Sequence, residues 1–390
     1  MSSVWMQPKL DKLWRDGLFY KLMPRTEAGV WRILHQYYDE SFAVVNVEGF
    51  RSSAFKIDEG VKQGGILSSF LFNFFLDDLL NRLLSMNIGA LLGDVNASAI
   101  AYCDDILLLA SNEGQMQRLI NCCADYAKLW KLSFNPLKSS CYSIKPVDYE
   151  FILNGGSIPK SEGFIYLGLP VGTEAFVEAF YNEKMSKCEK ALYSLKNIGC
   201  NPNRLHPLAI GFIYKQYCQS IMKFGFEFVY LRKSFLSKLD IRQNILLKNI
   251  LGIHHRARFK VVLNIMNVEQ VSLLYEKHKV FGWRQCTKNS LTEKIFDNLS
   301  LVNHKNKHSN LSYLNQLSLV VGSKELGHTS IQEVLSQISE KYVCFDVELK
   351  EKVVYVMDHL HSGNSYVCIR ELNSILKVDS LVNNSNSICI

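Results

Sequence analysis

The stretch from Ala99 to Ala110 constrains the fold most, because two adjacent carboxylates interrupt an otherwise apolar run. Ile and Leu lie on both sides of Asp104 and Asp105, which is typical of two buried strands joined by a tight turn. Successive side chains of a strand point to opposite faces, so both acids reach one site only if the chain bends there. Two carboxylates held close together repel each other, and a divalent cation between them relieves that cost.

A surface turn that happens to contain Asp-Asp is the alternative interpretation of this stretch. Solvated turns more usually carry Gly or Asn, and the apolar flanks of this pair favour a buried hairpin. The sequence therefore predicts a β-hairpin with Asp104 and Asp105 at its tip.

The composition indicates a folded chain of two or three domains. Of 390 residues, 48% are hydrophobic and 21% charged, which excludes a disordered protein. A net charge of +7 is compatible with nucleic-acid binding without being diagnostic of it. The 11 cysteines form no C-x-x-C pair, which favours reduced thiols. With no signal peptide and no apolar run of membrane-spanning length, we expect a soluble intracellular protein without a membrane partner.

A glycine-containing loop, Glu59–Ser68, leads into a helix predicted over Phe70–Leu84, with Ser68 or Ser69 as its cap. Gly64 has no Cβ, so its backbone can approach a ligand closely, and Gln63 supplies an amide that both donates and accepts. An ordinary loop-to-helix junction is the alternative interpretation.

Further elements of the first half follow from periodicity. Helices are predicted over Lys12–Met23 and Glu27–Tyr38, and a hairpin is predicted over Phe164–Gly172. The second helix is predicted to carry one apolar stripe, formed by Val30, Ile33, Leu34 and Tyr37. Asn112 is predicted to cap an amphipathic helix. Lys138 follows that helix, and its ammonium can serve a phosphate as a positive charge or as a proton donor. A solvated surface lysine is the alternative interpretation.

From Thr173 onward, helical stretches dominate, and basic residues alternate with aromatic ones. Such a mixture can hold a nucleic-acid backbone and stack on bases. Composition alone favours the alternative, a helical bundle whose lysines form its solvated face and whose aromatic residues form its core. The basic residues are Lys184, Lys187, Lys190, Lys196, Lys215, Lys223, Arg232, Lys233, Lys238, Arg242 and Lys248, followed by the segment His254–Lys260.

The order of these blocks resembles the reverse transcriptases of non-LTR (LINE-type) retrotransposons. Glu59–Asn73 resembles the family's G-V-x-Q-G-x-x-L-S-P-x-L-F-N block, with Ser69 in place of Pro, and Tyr102–Asp105 resembles its aromatic-x-Asp-Asp box. Leu132–Lys138 is similar to its L-x-x-N-x-x-K block. Tyr166–Gly168 resembles the hairpin at the primer grip. The region around Lys248–Ile253 is similar to the thumb.

The resemblance implies an α+β fold in which a reverse-transcriptase palm, an antiparallel sheet with packed helices, precedes a mostly helical thumb. It implies that Asp104 and Asp105 are catalytic ligands of Mg²⁺ in a two-metal site, and that Lys138 protonates the leaving pyrophosphate. Gln63, Gly64 and Tyr102 would contact template and incoming nucleotide. The implied partners are an RNA template, a DNA primer and deoxynucleoside triphosphates.

One position departs from the family. Its first catalytic strand reads D-x-x-x-A-F-D, and Asp11 matches the second Asp, so counting back six places lands on Trp5. The first catalytic Asp is therefore missing. We expect residues 1–172 to be a partial palm without fingers or first catalytic strand. Residues 173–300 would be a thumb-like helical region, and residues 301–390 a C-terminal helical region with a polar tail.

The sequence therefore predicts a truncated polymerase remnant that is inactive alone. Three alternatives remain open: an active reverse transcriptase whose start is mis-assigned, a non-catalytic RNA- or DNA-binding protein that uses the basic helical half, and an unstable product without function.

Overall fold

A computed structural model describes residues 2–6, 13–62, 64–145, 148–197, 199–202 and 204–305. Positions 261, 296 and 299–305 are described by their backbone alone. The chain divides into two compact units, residues 1–173 and residues 174–390. The predicted C-terminal region therefore lies almost wholly outside the described residues, as do Gln63 and Asp11.

The first unit mixes helices with short antiparallel strands, which confirms the predicted α+β class. Its helices are α1 (Arg15–Leu22), α2 (Ala28–Asp39), α3 (Ser68–Ser85) and α4 (Glu113–Leu129). Its strands are β1 (Ser2–Met6), β2 (Phe42–Ala43), β3 (Asn46–Val47), β4 (Phe50–Arg51), β5 (Phe55–Lys56), β6 (Leu91–Leu92), β7 (Val95–Asn96), β8 (Ala99–Tyr102), β9 (Asp105–Ala110), β10 (Ser140–Ser143), β11 (Ile152–Leu153), β12 (Gly156–Ser157), β13 (Gly163–Tyr166) and β14 (Leu169–Gly172).

A four-stranded sheet in the order β10-β1-β9-β8 is the centre of this unit. Alternate side chains of β1 and β9, among them Val4, Met6, Ile106 and Leu108, are fully buried in one core together with apolar residues of α3 and α4. The opposite face carries a smaller apolar cluster around Leu107. The sheet is thus covered by apolar side chains on both faces, which explains the apolar run on each side of the acids.

β1 is a central strand that the sequence did not predict, and the expected absence of the fingers and of the first catalytic strand stays a prediction. β1 lies between β9 and β10, antiparallel to both, with Trp5 opposite Leu107 on one side and Ser140 on the other. Its residues Ser-Ser-Val-Trp-Met give a weak strand signal, and pairing with two neighbours holds them extended.

Two helix starts show how local chemistry sets the boundaries. Asn112 caps α4 as predicted, since its Oδ1 accepts a 2.9 Å hydrogen bond from the backbone N–H of Gln115. The predicted cap of α3 is wrong. Leu67 occupies that position, while the Ser68 hydroxyl donates to the Lys62 carbonyl and closes the preceding loop.

The apolar stripe predicted for α2 is largely exposed. Ile33 and Tyr37 are 69% and 53% exposed, because the helix packs on α1 through its other side. There, Trp31 and Tyr38 contact the ring of Phe19, each at a centroid distance of 6.0 Å.

The second unit is helical throughout its described part. Its helices are α5 (Glu174–Asn197), α6 (Pro207–Ile213), a π-helix (Tyr214–Gln219), α7 (Ser220–Lys223), α8 (Lys233–Leu251), α9 (Phe259–Met266), α10 (Val271–Cys286) and α11 (Ser290–Lys305). In neither unit does a described helix combine the length and apolar character needed to cross a bilayer.

Candidate active site

The hairpin β8–β9 places the two acids at its tip, which confirms the predicted hairpin. Tyr102 pairs with Asp105, and the intervening residues Cys103 and Asp104 form the turn. Cys103 has φ +48°, a left-handed conformation that reverses the chain within two residues. Both carboxylates are partly exposed, and Tyr102 is 64% exposed. The tip can therefore meet a ligand from solvent.

The Asp105 carboxylate is bound by a residue of β1. The indole Nε1 of Trp5 donates a 2.9 Å hydrogen bond to its Oδ1. The Trp5 ring is partly buried and stacks on Phe164, with ring centroids 6.4 Å apart and planes at 17°. Because the acceptor is a carboxylate, this hydrogen bond is charge-assisted and stronger than a neutral one.

Tyr166 encloses the same face of the sheet from the hairpin β13–β14. Burial, and secondarily the negative charge of Asp105, raise the pKa of Tyr166 to about 12. Its hydroxyl donates a 3.5 Å hydrogen bond to the Ile100 carbonyl. Trp5, Phe164 and Tyr166 thus form an aromatic cover on the face that carries Asp105.

The strand register brings Lys138 to the same end of the sheet. Ser140 lies opposite Trp5, and Met6 lies opposite Ile106, so β10 begins where β1 ends and where β9 leaves the hairpin tip. Lys138 closes a short 3-10 helix, Pro136–Lys138, which the Asn135 side chain caps at 3.0 Å. The Lys138 side chain is exposed. Its ammonium is therefore available to an anion.

The glycine loop is described except for Gln63. Gly64 has φ +77°, a left-handed conformation that strains any residue with a Cβ, and an added Cβ would itself meet no atom within 4 Å. Glycine is thus favoured at position 64 by its left-handed backbone conformation and not by a lack of space for a side chain. Gly65 closes the loop by a 2.9 Å hydrogen bond to the Lys62 carbonyl.

Sequence reasoning missed Arg15, which fixes the chain just before this loop. Its guanidinium is buried and donates to the carbonyls of Gly60 at 2.9 Å, Tyr38 at 2.7 Å, and Ile57. An arginine in the first turn of a helix gives no local signal of such a role, since most arginines are exposed.

The residues at the tip do not fit a two-metal centre as they stand. Asp104 and Asp105 offer carboxylates, but within the described ranges no three His, Cys, Asp or Glu side chains group closely enough to hold a metal ion. Trp5, on the neighbouring strand, presents a hydrogen-bond donor, and a donor cannot ligate a cation.

Residues 3–171 match the family described as reverse transcriptase (RNA-dependent DNA polymerase), which uses divalent metal ions. A probable RNA-directed DNA polymerase from transposon BS of Drosophila melanogaster is 23% identical over 285 residues, covering 70% of this chain and 31% of the relative. The retrovirus-related Pol polyprotein of the type-2 retrotransposable element R2DM of the same species is 28% identical over 197 residues, covering 45% of this chain and 18% of the relative.

A Pol polyprotein of the type-1 retrotransposable element R2 of Popillia japonica is 36% identical over 110 residues, covering 28% of this chain and 15% of the relative. The chain thus spans less than a third of the length of these relatives. Among solved structures, Candida albicans telomerase in complex with a fragment of telomeric RNA gives a TM-score of 0.35 at 11% identity, covering 76% of this chain and 49% of that one. Together with the Asp-Asp hairpin and its sheet, the family match makes residues 3–171 a reverse-transcriptase domain, and the relatives of this chain are the RNA-directed DNA polymerases of non-LTR retrotransposons.

Proposed function

We propose that this chain holds an RNA template and a DNA primer in the manner of a reverse transcriptase but does not extend the primer. The observation that carries the proposal is the hydrogen bond from Trp5 to Asp105, at the place where a polymerase needs a third carboxylate. Loss of such a carboxylate costs on the order of 4–6 kcal/mol of transition-state stabilisation, or several orders of magnitude in rate.

The strand pairing supports assigning Trp5 to the position of the family's first catalytic Asp. β1 lies directly beside β9, the strand that begins with Asp105. Carboxylates on neighbouring strands lie close enough together for two metal ions to share their oxygen atoms as ligands. The family spacing counted back from Asp11 reaches the same residue.

The chemistry of the pair also opposes metal binding. A cation would have to compete with the indole N–H for the Asp105 oxygen, and the Trp5 ring stacked on Phe164 fills space beside that oxygen. Mg²⁺ demands oxygen ligands in near-octahedral geometry. We therefore infer that Asp104 and Asp105 bind Mg²⁺ weakly and that no polymerisation step proceeds through it.

Template and primer binding does not need the missing carboxylate. The exposed ring of Tyr102 at the hairpin tip can stack on a base or sugar, and the exposed Lys138 ammonium can contact a phosphate. Gly64 leaves its loop open to a close approach by nucleic acid or by a deoxynucleoside triphosphate. We propose that these residues, with Gln63, retain the binding role of the family.

Primer extension tests the proposal directly. With an annealed RNA template and DNA primer, deoxynucleoside triphosphates and Mg²⁺, we expect no extension by the wild-type chain. Fluorescence anisotropy should still report binding of the template–primer, unchanged by EDTA. Mg²⁺-dependent extension that disappears in the Asp104→Asn variant would overturn the proposal.

The substitution Trp5→Asp tests the role of the indole. It should raise Mg²⁺ affinity at least tenfold in isothermal titration calorimetry, because it adds a third carboxylate beside Asp105. Trp5→Phe is the matched control, since it removes the indole N–H without adding a ligand, and it should gain no comparable affinity. Equal Mg²⁺ affinity in Trp5→Asp and Trp5→Phe would contradict the assignment of Trp5 to the carboxylate position.

A further inference from the structure

The second unit contains a basic cleft of about 460 Å³ between the π-helix, α7 and α9. Three lysines line it, Lys215 from the π-helix, Lys223 from α7 and Lys260 from α9. Its one acidic lining residue, Glu269, is ion-paired with Lys277. The cleft therefore presents a net positive charge to a ligand.

Close packing fixes the walls of this basic cleft. Gly211 of α6 lies so near α9 that an added Cβ would stand 1.9 Å from the carbonyl oxygen of Met266. The π-helix that follows carries Gln219, which is buried and whose amide donates to the Glu269 carbonyl at 3.4 Å. Short π segments recur at functional sites, where they redirect side chains out of the regular helical spacing.

A side-chain amide that lines the basic cleft has no hydrogen-bond partner among the described residues. Asn264 is 8% exposed and lines the cleft one turn after Lys260 on α9. Within the described part of the chain, its side chain makes no hydrogen bond. Because the residue lines the cleft, its amide is placed for a ligand that can both donate and accept a hydrogen bond.

An apolar wall and a basic approach complete the cleft. Phe212 lines it although its side chain is 58% exposed, which leaves a ring face open for stacking. The loop before α9 exposes Arg256 and Arg258, and the Lys248 ammonium holds that loop by a 2.6 Å hydrogen bond to the His255 carbonyl. The positive charge therefore continues along the chain from the loop to Lys260.

We propose that the basic cleft binds a segment of single-stranded nucleic acid. The three lysines contact successive phosphates, Phe212 stacks on one base, and the Asn264 amide hydrogen-bonds the edge of that base. A strand is favoured over a free nucleotide because it can extend from the cleft along the basic segment that leads to Lys260. The site lies wholly within residues 174–305, and it does not depend on the hairpin tip of the first unit.

Anisotropy of the full-length chain with labelled oligo(U) and oligo(dT) of about 12 nucleotides tests this proposal. The triple variant Lys215→Gln, Lys223→Gln, Lys260→Gln should bind at least tenfold more weakly. A plot of the logarithm of its association constant against the logarithm of salt concentration should have a slope smaller in magnitude by about 2. Each of the three lost phosphate contacts contributes about 0.7 to that slope for a single strand. Oligo(U) and oligo(dT) distinguish an RNA source of the strand from a DNA source.

Three exposed lysines of the same unit that do not line the cleft supply a charge-matched control. The triple variant Lys196→Gln, Lys233→Gln, Lys238→Gln should keep its affinity within about twofold. Equal losses in the two triple variants would overturn the proposal, because they would indicate general charge attraction without a site.

An amide variant and a small competing anion probe the specificity of the cleft. Asn264→Leu should weaken binding several-fold with an unchanged salt slope, since it removes an amide and no charge. Inorganic phosphate at equal phosphate concentration should compete poorly, and competition as strong as that of the oligonucleotide would overturn the proposal in favour of a small-anion site. Primer extension and Mg²⁺ titration of the Trp5 variants report on the proposed function, whereas oligonucleotide binding by the two triple lysine variants reports on this cleft, so failure of one is distinguishable from failure of the other.

Discussion

The indole of Trp5 and the carboxylate of Asp105 are joined by a 2.9 Å hydrogen bond across 100 residues of sequence. The two residues lie on neighbouring central strands, and the hairpin β13–β14 covers them with Phe164 and Tyr166. The resemblance predicts Asp105 as a metal ligand, and in the structure its carboxylate accepts the hydrogen bond of a tryptophan. The contribution of this hydrogen bond to folding is therefore measurable.

A double-mutant cycle should show the coupling between Trp5 and Asp105. We expect Trp5→Phe and Asp105→Ala to couple by about 1.5–3 kcal/mol in the free energy of unfolding by urea, as for hydrogen bonds to charged groups. Asp104→Ala serves as the control partner, since the Trp5 indole donates to Asp105. Additivity of Trp5→Phe with Asp105→Ala within about 0.5 kcal/mol would argue against the bond.

The parts of the fold that depend on local pattern could be predicted from the sequence. The hairpin at Asp104–Asp105 and the cap at Asn112 are of this kind, because turn and cap chemistry lies within a few residues. The indole bond to Asp105 could not be predicted, since it depends on the register of two strands far apart in sequence. The exposed stripe of α2 was mispredicted because periodicity identifies an apolar face without identifying the partner that covers it.

The candidate site divides in the same way. Motif order indicated Gly64, Tyr102 and Lys138, whose roles stay predictions. The cleft residues were visible in the sequence only as scattered lysines and one asparagine, and it takes the packing of α6, the π-helix and α9 to bring Lys215, Lys260 and Asn264 together.

Arg15 is expected to be a stabilising residue of the first unit. Lysine cannot reproduce three hydrogen bonds to carbonyls from one planar group, so Arg15→Lys should lower the free energy of unfolding by about 2–4 kcal/mol. Hydrogen exchange should rise most around Gly60. Arg32→Lys on the exposed side of α2 is the matched control, and it should change stability by less than about 0.5 kcal/mol. Similar losses in both variants would contradict the role assigned to Arg15.

Gly211→Ala is expected to be destabilising although alanine favours helices. A methyl group there overlaps the backbone of Met266, so α6 and α9 must separate, and thermal denaturation should show a loss of at least about 2 kcal/mol. Gly114→Ala in α4 is the control, because its added Cβ would meet only Asn112 Oδ1 at 3.7 Å. That variant should be neutral or stabilised by some tenths of a kcal/mol. Unchanged stability of Gly211→Ala would mean that the helices adjust freely.

Lys279 of α10 is fully buried, and its charge is opposed by its surroundings. Its ammonium donates a 2.8 Å hydrogen bond to the Val229 carbonyl and lies 5.1 Å from the ring centroid of Tyr275. Burial lowers the pKa of Lys279 to about 7, although the carboxylate of Glu227 acts in the opposite direction. In the unfolded chain the pKa returns to the ordinary lysine value of about 10.4.

The depressed pKa of Lys279 predicts a stability that rises with pH. Between about pH 7 and pH 10 the unfolded chain holds a proton that the folded chain has released, so deprotonation favours folding. The free energy of unfolding of the wild type, relative to that of Lys279→Met, should therefore rise by up to about 1.4 kcal/mol per pH unit over this range. Chemical denaturation of the wild type and of Lys279→Met at several pH values measures this rise. The control Lys238→Met, at an exposed position, should differ from the wild type by an amount that does not change with pH. A difference that stays flat from about pH 7 to pH 10 would mean that Lys279 remains charged in the folded chain.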